Sequence, residues 1–175
     1  MFKRPLLVLL GVMAASAASA QSPADGQGLK LPELPSASEL RPQMIGHHFK
    51  LVTGEIEEAV FFGGYSPFGY PMAFSLTDVP YTRSTWDQAH AYCVSKPGNW
   101  RVPDINELRV ISPLADAPEP DYLAGSYWTT TPAPCPDCQK PEVYKMAYDV
   151  RSGHIRNAYT LPFMKFYGLC MHPIP

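Results

Sequence analysis

The stretch from Thr85 to Leu108, "TWDQAHAYCVSKPGNWRVPDINEL", restricts the possible folds most, because two helix starts follow one another closely in it. Thr85 with Gln88 three residues later forms a capping box, and Asp104 with Glu107 repeats this arrangement. One face of the first predicted helix carries Trp86, Ala89, His90, Cys93 and Val94. A Lys-Pro-Gly turn ends this helix, and a proline ends the second. The pattern therefore predicts two short helices joined by "GNWRVP".

Short apolar runs bounded by turn residues predict strands on both sides of these helices. Residues 57–76 hold two such runs around a centre rich in Gly and Pro, which is typical of a hairpin. Residues 126–131 predict another short strand, and the chain from Val143 alternates in polarity. Residues 165–171 predict a last strand that carries Cys170. Strands, two helices and then strands indicate an α+β domain.

The first twenty residues predict a secretory signal peptide. Lys3 and Arg4 precede an apolar run too short for a membrane helix, and Ala18 to Ala20 fit a small-residue cleavage site. Residues 21–45 are rich in Pro, Ser and Gly, which predicts a flexible linker or a segment that orders against a partner. We therefore expect one domain over residues 46–175, periplasmic or secreted, with no membrane span.

The net charge limits the classes of partner. The whole chain carries a formal charge of −2, and loss of Lys3 and Arg4 with the leader gives −2 − 2 = −4. A mildly acidic chain has little general affinity for polyanionic nucleic acid, because like charges repel. Nucleic acid is therefore not an expected partner.

Four cysteines, at positions 93, 135, 138 and 170, follow the predicted leader. An even number in an exported chain indicates disulfides, and the sequence alone allows three pairings. A bond between Cys93 and Cys170 would constrain most of the domain and would contribute roughly 4 kcal/mol by the chain-entropy model. A local disulfide between Cys135 and Cys138 is the default interpretation of "CPDC". Redox catalysis and a zinc site are less favoured, because prolines surround the pair and zinc needs two more ligands.

The order of three sequence blocks resembles the Lcl C-terminal-like family, a bacterial branch of the C-type lectin-like domains. The blocks are "TWDQAHAYC", "WRVPDINEL" and "YWTTT", and the resemblance covers residues 55–172. The matching residues are Thr85, Trp86, Ala89, Tyr92, Cys93, Trp100, Arg101, Val102, Pro103, Glu107, Leu108, Tyr127, Trp128, Thr129, Thr131, Tyr148, Asp149, Gly153 and Cys170. The chain departs from the family pattern in "GLCMHP" near its end and in the "APCPDC" loop.

The resemblance implies a C-type lectin-like fold whose N- and C-terminal strands lie side by side. It also implies that Cys93 and Cys170 form a disulfide. Calcium-dependent sugar binding is not expected, because "EPD" at Glu119–Asp121 matches half of the calcium motif and no Trp-Asn-Asp follows. We expect neither a bound metal nor a cofactor.

The tryptophans and one charged pair have two interpretations each. Trp86, Trp100 and Trp128 could stack on sugar rings, but buried aromatic side chains dominate small cores, so we interpret them as core residues. Arg101 and Glu107 could bind a polar ligand. We favour a structural role, in which the donors of Arg101 hold loop carbonyls or a carboxylate.

No residue set predicts catalysis. A combination of a Ser with His154 and Asp149 is available by chance in a chain of this length, and no motif of a nucleophile or a metal enzyme accompanies it. We therefore expect a protein that is not an enzyme.

The expected function is that of an exported bacterial adhesion or ligand-binding module. It would bind a protein or a glycan through the loops 113–142 and 152–165, since loops on a rigid scaffold commonly carry recognition. The expected contact residues are Tyr122, Arg156 and Tyr159. The alternative is a periplasmic structural subunit of a cell-envelope, secretion or pilus assembly, which would dock on its neighbour through residues 21–45.

Overall fold

Seven strands and two α-helices make up the regular structure of the described chain. The computed structural model describes residues 30–76, 83–116, 123, 125–134, 144–159 and 164–175, and at positions 157–159 the backbone alone. The elements are β1 (His48–Thr53), β2 (Ile56–Tyr65), β3 (Pro71–Ser75), α1 (Trp86–Ser95), α2 (Ile105–Ile111), β4 (Ser126–Pro132), β5 (Tyr144–Asp149), β6 (Ile155–Tyr159) and β7 (Met171–Pro173). Short 3-10 helices occupy Pro42–Met44 and Ser112–Asp116. The α+β class predicted from the sequence is confirmed.

Both helices begin at the capping residues that the sequence indicates. The side chain of Thr85 accepts a hydrogen bond from the Gln88 amide at 3.3 Å, and the Gln88 side chain accepts one from the Thr85 amide at 3.0 Å. Asp104 and Glu107 form the same reciprocal pair at the start of α2. Each box satisfies backbone donors that a helix start otherwise leaves unpaired.

The first sheet has four antiparallel strands in the order β1-β2-β3-β7. β1 is an addition to the predicted strands, and β2 and β3 are the predicted hairpin. The last strand begins only at Met171, because residues 166 and 167 pair with Ser84 and Tyr127 in isolated bridges instead. β1 and β7 lie at opposite edges of the sheet, with β2 and β3 between them. The expectation that the terminal strands lie side by side is therefore wrong.

The second sheet has three antiparallel strands in the order β4-β5-β6. β4 and β5 occupy the segments in which the sequence predicts strands. Gly153, with φ of 70°, helps the chain to turn from β5 into β6. β6 continues the sheet pattern that the sequence predicts from Val143 onward, and it lies inside residues 152–165, which are also expected to present a partner-binding loop. The predicted loop 113–142 contains β4, where the sequence predicts a short strand, and it begins within the 3-10 helix Ser112–Asp116.

Two layers of core lie on opposite faces of the four-stranded sheet, because successive side chains of a strand point in opposite directions. The layer on the α1 side contains Val60, Phe62, Ala73, Ala89, Cys93, Trp100 and Trp128. The layer on the α2 side contains Phe61, Met72, Phe74, Leu108, Ile111, Tyr127 and Tyr148. At Gly63 an added Cβ would lie 2.3 Å from the ring of Phe74. Glycine at this position therefore allows the ring to pack against β2.

A disulfide joins Cys93 on α1 to Cys170 just before β7, with the two Cα atoms 5.3 Å apart. The resemblance implies this same pairing. The bond closes a sequence separation of 77 residues and fixes α1 to the last segment of the chain. Cys135 and Cys138 lie outside the described residues, so the interpretation of "CPDC" stays a prediction.

The chain from Leu31 onward belongs to the same compact unit as the strands. The Leu34 amide donates to the Lys50 carbonyl at 2.9 Å, and the Lys50 amide donates to the Pro32 carbonyl at 2.7 Å. Leu40 is 2% exposed, and its carbonyl accepts a hydrogen bond from the Tyr65 hydroxyl at 3.0 Å. The domain therefore begins before Gly46, because these apolar side chains complete the core. Residues 1–29, which include the predicted leader, lie outside the described residues.

Among the described helices, none has the length and apolar content needed to cross a membrane. Two antiparallel sheets, two capped helices and one disulfide are the features that position the polar side chains described next.

Candidate functional site

A polar cleft of about 160 Å³ lies where β4 begins, β5 ends and β6 begins. Ser126 on β4 is the direct neighbour of Asp149 on β5, and Arg156 on β6 pairs with Ala147 two residues before Asp149. Paired residues of adjacent strands share a face of a sheet, so Ser126, Asp149 and Arg156 converge. The lining residues are Arg83, Gly125, Ser126, Asp149, Arg156 and Phe166.

Asp149 is the carboxylate of this cleft. One of its oxygens accepts hydrogen bonds from the Ser152 amide at 2.8 Å and hydroxyl at 2.7 Å, and the other accepts from the Ser126 hydroxyl at 3.2 Å. Burial alone would raise the pKa of Asp149. The hydrogen bonds from Ser152 and Ser126 and the charge of Arg156 outweigh burial and lower the pKa below its usual range. Asp149 is therefore ionised at neutral pH.

Two guanidinium groups supply the positive charge of the cleft. Arg83 and Arg156 are both exposed, and the Arg83 guanidinium lies over the ring of Tyr167 at 5.5 Å from the ring centre. Within the described part of the chain, neither guanidinium makes a hydrogen bond to another residue. Both arginines therefore place guanidinium donors at the cleft, and the charge of Arg156 also acts on Asp149.

Glycine at position 125 allows the ring of Tyr167 to lie close to the start of β4. Gly125 has φ of 124°, a conformation that L side chains rarely adopt. A Cβ at this position would lie 2.7 Å from the Tyr167 ring. Glycine thus allows the Tyr167 ring to pack close to β4, where the Arg83 guanidinium lies over its face.

A second polar cluster is buried between β3 and α2. Glu107 is 0% exposed, and Arg101 donates to it in a two-point ion pair, with one nitrogen–oxygen distance of 2.8 Å. Tyr70 also donates to Glu107 and receives a bond from Arg101 at 3.0 Å. Burial alone would raise the pKa of Glu107, but the bonds from Arg101 and Tyr70 lower it. Burial and the Glu107 charge raise the pKa of Tyr70.

The geometry of this second cluster makes it a structural clamp. Every Glu107 oxygen is engaged, since Oε2 also accepts the Asp104 amide at 2.7 Å. The Arg101 side chain is about one-third exposed, yet its guanidinium is directed at the carboxylate. The ion pair and the Tyr70 hydrogen bond hold the start of α2 against the chain just before β3. All hydrogen-bonding positions of the carboxylate are occupied, so it has no capacity left for a ligand.

Two of the three tryptophans are buried in the core, and the third packs against it. Trp100 is 4% exposed and Trp128 is 0% exposed. Trp86 is half-buried, and its ring stacks on His90 at 5.4 Å and lies under the Lys145 ammonium at 5.3 Å. These contacts agree with the core interpretation rather than with sugar stacking.

One of the three expected contact residues lies at the polar cleft. Arg156 lines the cleft, whereas Tyr122 and the side chain of Tyr159 lie outside the described structure. Glu119–Asp121 lies there as well. The described residues contain no group of three metal-ligating side chains. His154 is exposed and its carbonyl accepts the Asp149 amide, so the bond between these two is a turn contact of the backbone.

The sequence analysis did not single out Arg83, Ser126 or Phe166. Arg83 precedes the α1 cap, and no local pattern marks it as a binding residue. Ser126 and Asp149 meet only through the register of β4 and β5, which the sequence does not determine. A search for charged residues along the predicted strands finds Asp149 and Arg156, but it also finds Lys145, which does not line the cleft.

No family model, curated protein sequence or solved structure matches the chain. The resemblance to the Lcl C-terminal-like family therefore stays a prediction.

Proposed function

We propose that this protein is an exported, non-catalytic binding module that holds a protein or glycan partner at the surface around the cleft. The supporting observation is the pair of exposed guanidiniums, Arg83 and Arg156, on a rigid frame. Two sheets and a disulfide fix the backbone from which these two side chains extend into the cleft. The fold that carries the module is proposed to be C-type lectin-like.

Export is part of the proposal. The disulfide is compatible with an oxidising compartment, since such bonds persist in the periplasm or outside the cell. The proposal includes a signal peptide over residues 1–20, which the sequence pattern predicts. Mass spectrometry of the protein recovered from cell fractions tests this point, and a mature chain that begins at Gln21 is the expected result.

An Arg156→Gln variant tests the binding surface. Wild-type protein and the variant are immobilised and exposed to extracellular and envelope protein fractions and to a glycan array, with and without calcium. We expect a partner that Arg156→Gln loses and that Arg109→Gln keeps, because Arg109 is an exposed arginine of α2 outside the cleft. We expect no calcium dependence. A partner retained fully by Arg156→Gln would contradict the proposed surface.

The alternative function, docking into an envelope assembly through residues 21–45, is tested by a short deletion. Removal of the whole segment would delete Leu40 from the core and destabilise the domain. A chain that lacks residues 21–30 leaves the described contacts intact. Loss of the partner on this deletion, with no effect of Arg156→Gln, would favour the assembly subunit over the binding module.

A further inference from the structure

We propose that the cleft receives the C-terminal carboxylate of an extended protein segment, with Arg83 and Arg156 as its ligands. This inference rests on the proposed function, because it names the chemistry of the same surface. Guanidinium groups bind a carboxylate through two parallel hydrogen bonds, a geometry that an ammonium group cannot provide.

The charge of the cleft suits a monoanion. Two guanidiniums and one ionised carboxylate give a formal charge of 2 − 1 = +1 among the described lining residues. A carboxylate neutralises this charge. A phosphate or another dianion would leave an excess negative charge beside Asp149, and that repulsion is strong at short range. The cleft therefore discriminates against dianions by means of Asp149.

The size of the cleft suits a chain end. Its volume is about 160 Å³, well below the roughly 300–1,000 Å³ of pockets that enclose whole drug-sized ligands. It can enclose a carboxylate and the adjoining backbone atoms, with the rest of the ligand outside. The second oxygen of Asp149 and the Ser126 hydroxyl stand beside this position as partners for a backbone amide of the ligand.

The surroundings favour a polypeptide over a sugar. Phe166 is the one aromatic side chain among the described lining residues, and it is half-buried in a T-shaped contact with Trp128 at 4.8 Å, so the described lining carries no broad aromatic platform for a sugar ring. The three tryptophans are not among the lining residues. A polypeptide needs no such platform, because it can bind through its main chain.

The position of Arg156 on β6 supplies a path for the main chain. β6 is the outermost strand of its sheet in the described structure. The Asp149 amide bonds to the His154 carbonyl, and Ala147 pairs with Arg156, so the backbone groups of Ile155 and Asn157 point away from β5. An extended segment that ends at Arg156 can therefore continue along the outer edge of β6.

The test measures capture of peptides by the full-length protein. The probe is a random-sequence pentapeptide mixture with free C-termini, compared with the same mixture amidated at the C-terminus. Acetate, inorganic phosphate and glucuronate serve as competitors. We expect the free-acid mixture to be captured at least about tenfold better than the amidated mixture. Amidation removes the charge of the carboxylate, and hydrogen bonds between charged groups strengthen binding by at least about tenfold.

Variants assign the effect to the cleft. We expect Arg156→Gln and Arg83→Gln each to lower capture of the free-acid mixture by roughly tenfold or more. Arg156→Lys should retain only part of the capture, because it keeps the charge and loses the two-point geometry. Arg109→Gln should capture as the wild type does. Far-ultraviolet circular dichroism and thermal unfolding verify that each variant folds.

Three results would overturn the inference: equal capture of acid and amide, capture unchanged in Arg156→Gln, or competition by phosphate or glucuronate stronger than that by acetate. If the partner screen still finds a ligand that depends on Arg156, the proposed function stands and only the carboxylate assignment fails. If Arg156 affects neither the screen nor the peptides, both proposals fail.

Discussion

At the scale of single residues, the buried charge of Glu107 dominates the stability of α2. Its carboxylate is fully buried, and it is tolerated there because Arg101, Tyr70 and the Asp104 amide all donate to it. Removal of one member of such a cluster leaves the others desolvated and unpaired. The clamp is therefore much more sensitive to substitution than an exposed ion pair.

Glu107→Gln should lower the free energy of unfolding by roughly 2–3 kcal/mol, because the partly exposed Arg101 keeps its charge and loses its counter-charge. Urea unfolding measures this change. The matched control is Glu57→Gln, which removes an exposed ion pair with Lys50 at 2.9 Å and should change stability little. Equal effects of the two substitutions would contradict the clamp.

The free energy of unfolding should depend on pH partly through the ionisation of Glu107. Its pKa in the folded protein is lower than the ordinary value of 4.5, so the unfolded chain takes up the proton first as the pH falls. The contribution of Glu107 is complete above pH 4.5 and is lost as the pH falls through the folded pKa. Unfolding free energies measured from about pH 6 to pH 3 should fall less steeply in Glu107→Gln. Identical slopes would refute this assignment.

At the scale of elements, residues 31–45, which precede β1, are an integral part of the domain. Hydrogen bonds join this segment to β1, and Leu40 fills a place in the core beside Tyr65. Its composition suggested a linker because proline and serine interrupt any apolar period. A single buried leucine in an irregular segment leaves no periodic pattern, so composition alone cannot detect its burial.

Leu40→Ala should lower the free energy of unfolding by about 2–4 kcal/mol, the usual cost of a cavity in a packed core. Val52→Ala is the control, because Val52 is 46% exposed on β1 and its truncation leaves no cavity. Thermal unfolding of the two variants measures the difference. A Leu40→Ala protein as stable as the wild type would show that the segment is dispensable.

The helices could be predicted from the sequence and the cleft could not, for a physical reason. A capping box is a local interaction over three residues, so Thr85 with Gln88 determines the start of α1 wherever the helix packs. The cleft needs Ser126 beside Asp149 and needs the chain at Ser84 paired with Phe166. These contacts depend on strand register and on docking between segments distant in the chain.

At the scale of the whole molecule, one covalent bond connects the first helix with the residue just before β7. Cys93→Ala with Cys170→Ala should lower the free energy of unfolding by roughly 4 kcal/mol, because the unfolded chain gains the freedom of a long loop. Reductant should destabilise the wild type and leave the double variant unchanged. Non-reducing peptide mapping should find Cys93 linked to Cys170, and a link from Cys93 to Cys135 would contradict the fold.

The same bond makes the chain from residue 93 to residue 170 a covalent ring. The ring contains five of the six cleft residues, namely Gly125, Ser126, Asp149, Arg156 and Phe166, and leaves Arg83 outside. A protease that cuts the ring once therefore opens it without releasing a fragment. Such a nicked molecule would run as one chain on a non-reducing gel and as two after reduction, with both halves of its binding surface still tethered.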